Sequence, residues 1–256
     1  MLSRSIVGPL LGATLLALLA GCSVTGGADD TPPAASTSPA GSPPPKATAL
    51  LAAAVTKTTG VSLKLVLDGG TADEDVSGSY DATHKIGTIA QTTGTDKMTV
   101  TVTPDDLYLA GLSDFKGKTM HLKITKLDPK SPLAVFADLL TPLTLLTGVK
   151  DAKATAPNTF SGTLDLTKAQ ATATGAKKFL ESVVTIAAAK ASAVKFTAAV
   201  NAEGYLTDFT ATLPGIDDGK DGDYTVKFSD FGAKVSLTKP TGSKVVEAPS
   251  AMYTAQ

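Results

Sequence analysis

Val61-Ser62-Leu63-Lys64-Leu65-Val66-Leu67 is the stretch on which the fold turns. Leucines and valine fall at every second position, with Ser62, Lys64 and Val66 between them. Successive side chains of a strand point to opposite faces, so a period of two marks a strand with one dry face. The same period returns in Met98, Val100 and Val102 between threonines, and in Leu107 and Leu109 around Tyr108. It returns again in Met120, Leu122 and Ile124 around His121 and Lys123, which places His121 on the wet side. Dry and wet faces alternating in this way predict an antiparallel sheet.

Further along, Phe160, Gly162, Leu164 and Leu166 continue the pattern, then Val194, Phe196, Ala198 and Val200, then residues 205–213, then Tyr224, Val226 and Phe228. Asn201-Ala202-Glu203-Gly204 and Asp217-Asp218-Gly219-Lys220-Asp221-Gly222 carry hairpin-turn chemistry. Three stretches depart from the period. Residues 47–59, with Leu50, Leu51, Ala54 and Val55 before Gly60, predict a short amphipathic helix. Ser131-Pro132 is a helix start, an N-cap serine before proline, and 132–147 is apolar on nearly all sides with Pro142 as a break. Residues 176–190 show a wide stripe of Phe179, Leu180, Val183, Val184 and Ile186. The expected fold is α+β: a single domain, 47–256, with a curved antiparallel half-barrel sheet and helices on its concave face enclosing a hydrophobic cavity.

The chain opens with Met1-Leu2-Ser3-Arg4, an apolar run over 6–20, and Gly21-Cys22. Arg4 is the sole arginine and Cys22 the sole cysteine. A cationic start, a short apolar run and a small-residue site read as a signal segment. Leu19-Ala20-Gly21-Cys22 looks like a bacterial lipobox, which makes 1–21 a signal peptide and Cys22 the lipidation site. The run is short for a bilayer span, which needs about 20 apolar residues. Residues 22–46 then form the acylated cysteine and a disordered tether, since 23–46 holds six of the 15 prolines among Ser, Thr, Gly and Ala. The expected location is the cell membrane, lipid-anchored on the extracytoplasmic side.

Composition excludes several classes. Lys+Arg is 23 against 24 Asp+Glu, which gives no general pull toward nucleic acid. Aromatics are 5% with no Trp, so there is little on which to stack bases. One Cys and two His argue against a disulfide framework and a Cys/His zinc site. Ser113-Asp114-Phe115-Lys116 and Ser192-Ala193-Val194-Lys195 match the Ser-x-x-Lys pattern of penicillin-binding proteins, but neither opens a credible buried helix. His84 and His121 read as surface histidines, and the acidic cluster from Asp217 as a turn instead of a calcium loop, whose twelfth position would be Phe228. No enzyme, cofactor or metal is expected.

The order of these features resembles a known family. A lipobox, a low-complexity tether and Gly60-Val61 come first, then Leu127-Asp128-Pro129 with Pro132-Leu133-Ala134 and Leu139-Leu140. Thr159-Phe160-Ser161-Gly162-Thr163, Tyr224-Thr225-Val226-Lys227-Phe228-Ser229-Asp230-Phe231-Gly232 and Val245-Val246-Glu247-Ala248-Pro249 follow. Together they are similar to the LppX/LprA/LprF/LprG lipoproteins of actinobacteria, although the stretch 194–200 lacks the Trp that family carries. The resemblance implies a half-barrel similar to that of LolA and LolB, with a cavity for acyl chains of lipids or lipoglycans and a role in moving them through the envelope. It implies lipid or lipoglycan partners, a membrane reached through the anchor, a lipid exporter as candidate partner, a monomeric state and no nucleic acid. The cavity walls expected from the dry faces are Leu63, Leu65, Leu67, Met98, Val100, Val102, Leu107, Leu109, Met120 and Leu122, with Phe136, Leu139, Leu140 and Leu143 opposite. The competing reading is an envelope lipoprotein that scaffolds or senses without carrying anything.

Overall fold

Two meanders share one sheet. The structure is a computed structural model, and it describes residues 46–69, 74–171 and 174–254. The signal segment, Cys22 and the tether lie outside the described residues. Helix α1 (Ala47–Thr58) leads into strands β1 (Ser62–Asp68), β2 (Glu74–Asp81), β3 (Ile86–Thr93), β4 (Asp96–Val102), β5 (Asp106–Ala110) and β6 (Thr119–Lys123). A crossover of short 3-10 segments follows. Next come β7 (Val149–Ala156), β8 (Thr159–Leu164), α2 (Thr174–Ala187), β9 (Val194–Val200), β10 (Leu206–Asp217), β11 (Lys220–Ser229) and β12 (Val245–Glu247). The strand order is β12-β6-β5-β4-β3-β2-β1-β11-β10-β9-β8-β7. The fold is α+β, and its sheet is curved, unclosed and antiparallel except where β12 lies parallel to β6.

Register explains the burial. Leu63, Leu65 and Leu67 of β1 face Tyr80, Gly78 and Val76 of β2, and Leu65 and Leu67 face Phe228 and Val226 of β11. Cross-strand neighbours on one face touch, so these rows form continuous apolar bands. The row through Leu65 runs from Phe228 past Gly78 to Ile89, Val100, Leu109 and Met120. Leu107, Leu109, Met120 and Leu122 are fully buried on that face. The β10–β11 hairpin turns through Asp218 and Gly219, both at positive φ, the geometry that matches sheet twist in a two-residue loop.

Residues 132–147 do not form the single helix that their pattern predicts. They form two 3-10 segments, Pro132–Ala137 and Thr141–Gly148, separated by extended backbone at Asp138. Pro142 disfavours helical backbone at the preceding Thr141. The Asp138 carboxylate accepts from the Leu140 N–H at 2.9 Å, and the Thr141 hydroxyl donates to the Asp138 carbonyl at 2.7 Å. These local side-chain bonds compete with a helical ladder and fix the break. Ser131 does act as the N-cap, its Oγ accepting from the Leu133 N–H at 3.3 Å.

Helix α2 ends at Ala187, where Ala188 turns to φ 47° and a 3-10 segment, Ala188–Ala193, carries the chain into β9. Helix α1 is tied to the sheet through Thr58, whose buried hydroxyl accepts from the Leu206 N–H at 2.8 Å. No helix among the described residues is long and apolar enough to cross a membrane.

Candidate functional site

An apolar pocket of about 390 Å³ lies between the sheet and the pieces of chain that roof it. Its floor is sheet: Leu65 and Leu67 of β1, Val76 of β2, Ile89 and Gln91 of β3, Tyr224 of β11 and Ile216 of β10. Its roof is Val135 and Phe136, the break at Asp138 and Leu139, then Thr141 and Pro142, with Phe179 of α2 at one side.

Gly78 stands between Leu65 and Ile89 in its row, where the β3 strand packs close over it and leaves no room for a side chain. A methyl there would come within 2.8 Å of Ile89 Cγ2 and 2.1 Å of the Thr88 carbonyl. Packing lets α2 sit directly on the roof as well: a Cβ at Gly175 would lie 1.9 Å from the Ala134 carbonyl oxygen. Helix and 3-10 segment thus meet backbone to backbone. The rings of Phe179 and Tyr224, 5.9 Å apart and tilted, close one side of the pocket.

A second pocket of about 350 Å³ adjoins it and shares Asp138 and Thr141. Leu140, Leu143, Val55 and Ala176 give it apolar walls, but Thr59, Lys85, Thr144, Thr147 and Gln170 make it more polar than the first. Tyr80 of β2 is buried against it. Burial, then the carboxylates of Asp138 and Asp81, push the Tyr80 phenol well above its ordinary range, so it remains a neutral hydroxyl. Neither pocket carries a nucleophile beside a base. Among the described residues no group of three or more His, Cys, Asp or Glu side chains could hold a metal ion.

The residues read as cavity walls divide into three groups. Leu65, Leu67, Phe136 and Leu139 line the first pocket, and Leu140 and Leu143 the second. Leu63, Val100, Val102, Leu107, Leu109, Met120 and Leu122 sit in closed core, each at most 1% exposed, and Met98 is half-buried at its margin. Residues outside the expected set of cavity walls complete the first pocket: Gly69, Val76, Ile89, Gln91, Val135, Thr141, Pro142, Phe179, Ile216 and Tyr224, with Asp138. Val76-x-Gly78-x-Tyr80 and Gly87-x-Ile89-x-Gln91 do alternate, and that is the signal for β2 and β3, diluted by glycine, serine and threonine.

His121 is not the free surface histidine its strand position suggests. Its Nε2 lies 2.9 Å from Asp106 and its Nδ1 2.7 Å from Glu247, and its ring stacks on Tyr108 at 5.0 Å. Burial pushes the Asp106 carboxyl up, but hydrogen bonds from Lys123, Lys239 and His121 outweigh it and hold that group well below the usual carboxylate range. Ser113 opens only a three-residue 3-10 segment, and Ser192 is the last residue but one of another just before β9, so neither Ser-x-x-Lys match heads a buried helix.

No family model matches the chain, and no curated protein matches its sequence. Among solved structures, the chain is similar to an uncharacterized conserved protein from Thermus thermophilus, at 8% identity and a TM-score of 0.38, over 79% of this chain and 99% of that one.

Proposed function

We propose that the chain is an envelope lipoprotein, anchored through Cys22, whose folded domain takes acyl chains of lipids or acylated glycolipids into the pocket under residues 132–142 and carries them between membrane and envelope. The observation that carries the reading is the first pocket itself. Its lining is apolar apart from Gln91, Asp138 and Thr141, and its size falls in the range of ligand sites. Farther along the same sheet face the core is closed, with Val100, Leu107, Leu109 and Met120 at 0% exposure.

The pocket is partly open to solvent, and at about 390 Å³ it has room for a length of flexible apolar guest. A scaffold or sensor would need no such space.

The test uses residues 44–256, which form a compact unit by themselves. That unit, made in a lipid-rich bacterial host and purified without detergent, should carry acyl lipid through native mass spectrometry. Protein that emerges free of lipid, and that does not bind cis-parinaric acid on titration, removes the carrier reading.

A further inference from the structure

Strand β5 is buried on both faces. Leu107 and Leu109 point into the core, and Asp106 and Tyr108 on the other face are each 3% exposed. A half-covered sheet should leave that second face wet. The C-terminal strap, residues 230–254, helps to cover it, reaching β5 through Lys239 and then joining the sheet edge as β12 beside β6. Lys239 of the strap reaches the Asp106 carboxylate at 2.8 Å and lies over the Tyr108 ring at 5.6 Å. Asp106 also accepts from Lys123 at 2.6 Å and faces His121 at 2.9 Å. Glu247, in β12, meets His121 at 2.7 Å on one oxygen and accepts from the Tyr253 hydroxyl at 2.7 Å on the other.

From this cluster the contacts continue to the pocket. The Tyr253 hydroxyl accepts from the Lys123 N–H at 3.1 Å, and the Tyr253 carbonyl accepts from the Asp128 N–H at 2.8 Å. One residue earlier, the Met252 carbonyl accepts from Ser131 Oγ at 3.4 Å. Ser131 is the cap of Pro132–Ala137: its Oγ accepts from the Leu133 N–H, and its carbonyl from the Ala134 N–H at 3.0 Å. Ala134 in turn bears on Gly175 of α2, and Val135 and Phe136 are the roof.

We infer that the C-terminal strap is a clasp, buckled on the Asp106–His121–Glu247 cluster, that holds the capped start of Pro132–Ala137 in place and so keeps the roof down over the pocket. Unbuckling the strap frees the Ser131 cap from one side and lets the roof lift. The clasp is made of hydrogen bonds and ion pairs on partly exposed groups, so it opens at far lower free energy than the leucine core beneath it. The structural half of the inference stands without a ligand; the ligand half rests on the pocket reading given above.

The test compares the full chain with Lys239→Met, which keeps the stem and removes the charge, and Tyr253→Phe, which removes only the hydroxyl. Each variant alone is followed by amide hydrogen exchange and by the release rate of cis-parinaric acid in stopped flow. Exchange at residues 133–137 should quicken at least tenfold in either variant, while β9, toward the opposite edge of the sheet, is unchanged. Probe release should quicken in parallel. Acceleration confined to residues 239–254, or spread evenly over the fold, overturns the clasp. If the unmodified chain binds no probe, the pocket reading fails, and the exchange pattern alone decides the clasp.

Discussion

Val135→Trp separates a ligand pocket from ordinary core. Val135 is half-buried and lines the first pocket, where its side chain faces the floor of Leu65, Leu67 and Ile89. Were the whole 390 Å³ a dry void, the cavity term of about 24 cal/mol per Å³ would amount to about 9 kcal/mol. That rivals the entire stability of a typical domain, about 5–15 kcal/mol, so the pocket is filled, wetted or partly collapsed in solution. An indole placed there fills space instead of displacing packed atoms, so stability should hold or rise, whereas overpacking a closed core costs about 1–3 kcal/mol. Affinity moves the other way. Each buried methylene of an acyl chain contributes about 0.8 kcal/mol, so excluding two of them weakens binding by about 1.6 kcal/mol, more than tenfold in Kd. The assay is convenient because the chain has no other tryptophan. The introduced indole should emit to the blue, as a buried ring does, and should transfer energy to cis-parinaric acid added at high concentration. Melting temperature and probe affinity, measured on the same samples, complete the comparison. A domain that loses several kcal/mol while binding the probe as before would refute the reasoning and make residues 132–142 plain core.

Three further outcomes follow from single contacts. Gly175→Ala places a methyl against the Ala134 carbonyl, so α2 and the roof must part; the melting temperature should fall by about 2–4 °C for each kcal/mol of strain, as read by circular dichroism. Thr58→Val leaves the buried Leu206 N–H without its acceptor and should cost about 1–3 kcal/mol in denaturant unfolding, whereas Thr58→Ser should restore most of it. Asp106 titrates well below its unfolded value of about 3.9, so its contribution to stability is complete above that value and drains away as pH falls through and below it. Glu247 is lowered in the same sense by the Tyr253 hydroxyl and by His121. Denaturant midpoints at pH 6 and pH 3 should therefore differ less in Asp106→Asn than in the unmodified chain, and an equal difference in both would show that the strap cluster has no part in acid stability.

Period-two patterning made most of the sheet legible, because β1, β9 and β11 bury one face against protein and leave most of the other to water. It could not disclose that Asp106 and Tyr108 are covered, since Lys239, which reaches both, lies more than 130 positions downstream in a stretch that carries little pattern of its own. It also misjudged residues 132–147: a run of leucines after Ser131-Pro132 has helical spacing, yet Asp138, Thr141 and Pro142 act locally to break the ladder. The pocket exposes a deeper limit. Alternation reports that a side chain avoids water, and it says nothing of whether that side chain meets another or meets a gap. Leu65 and Leu109 share one row and one face, and nothing in their spacing distinguishes them. What separates them is the roof of 3-10 segments broken at Asp138, which leaves a pocket above Leu65. Leu109 lies where the two layers close, and there the same leucine is core. The pocket on this scaffold thus lies under a break in its roof, and Val135, Phe136 and Leu139 beside that break are the positions at which substitution should change what the domain holds.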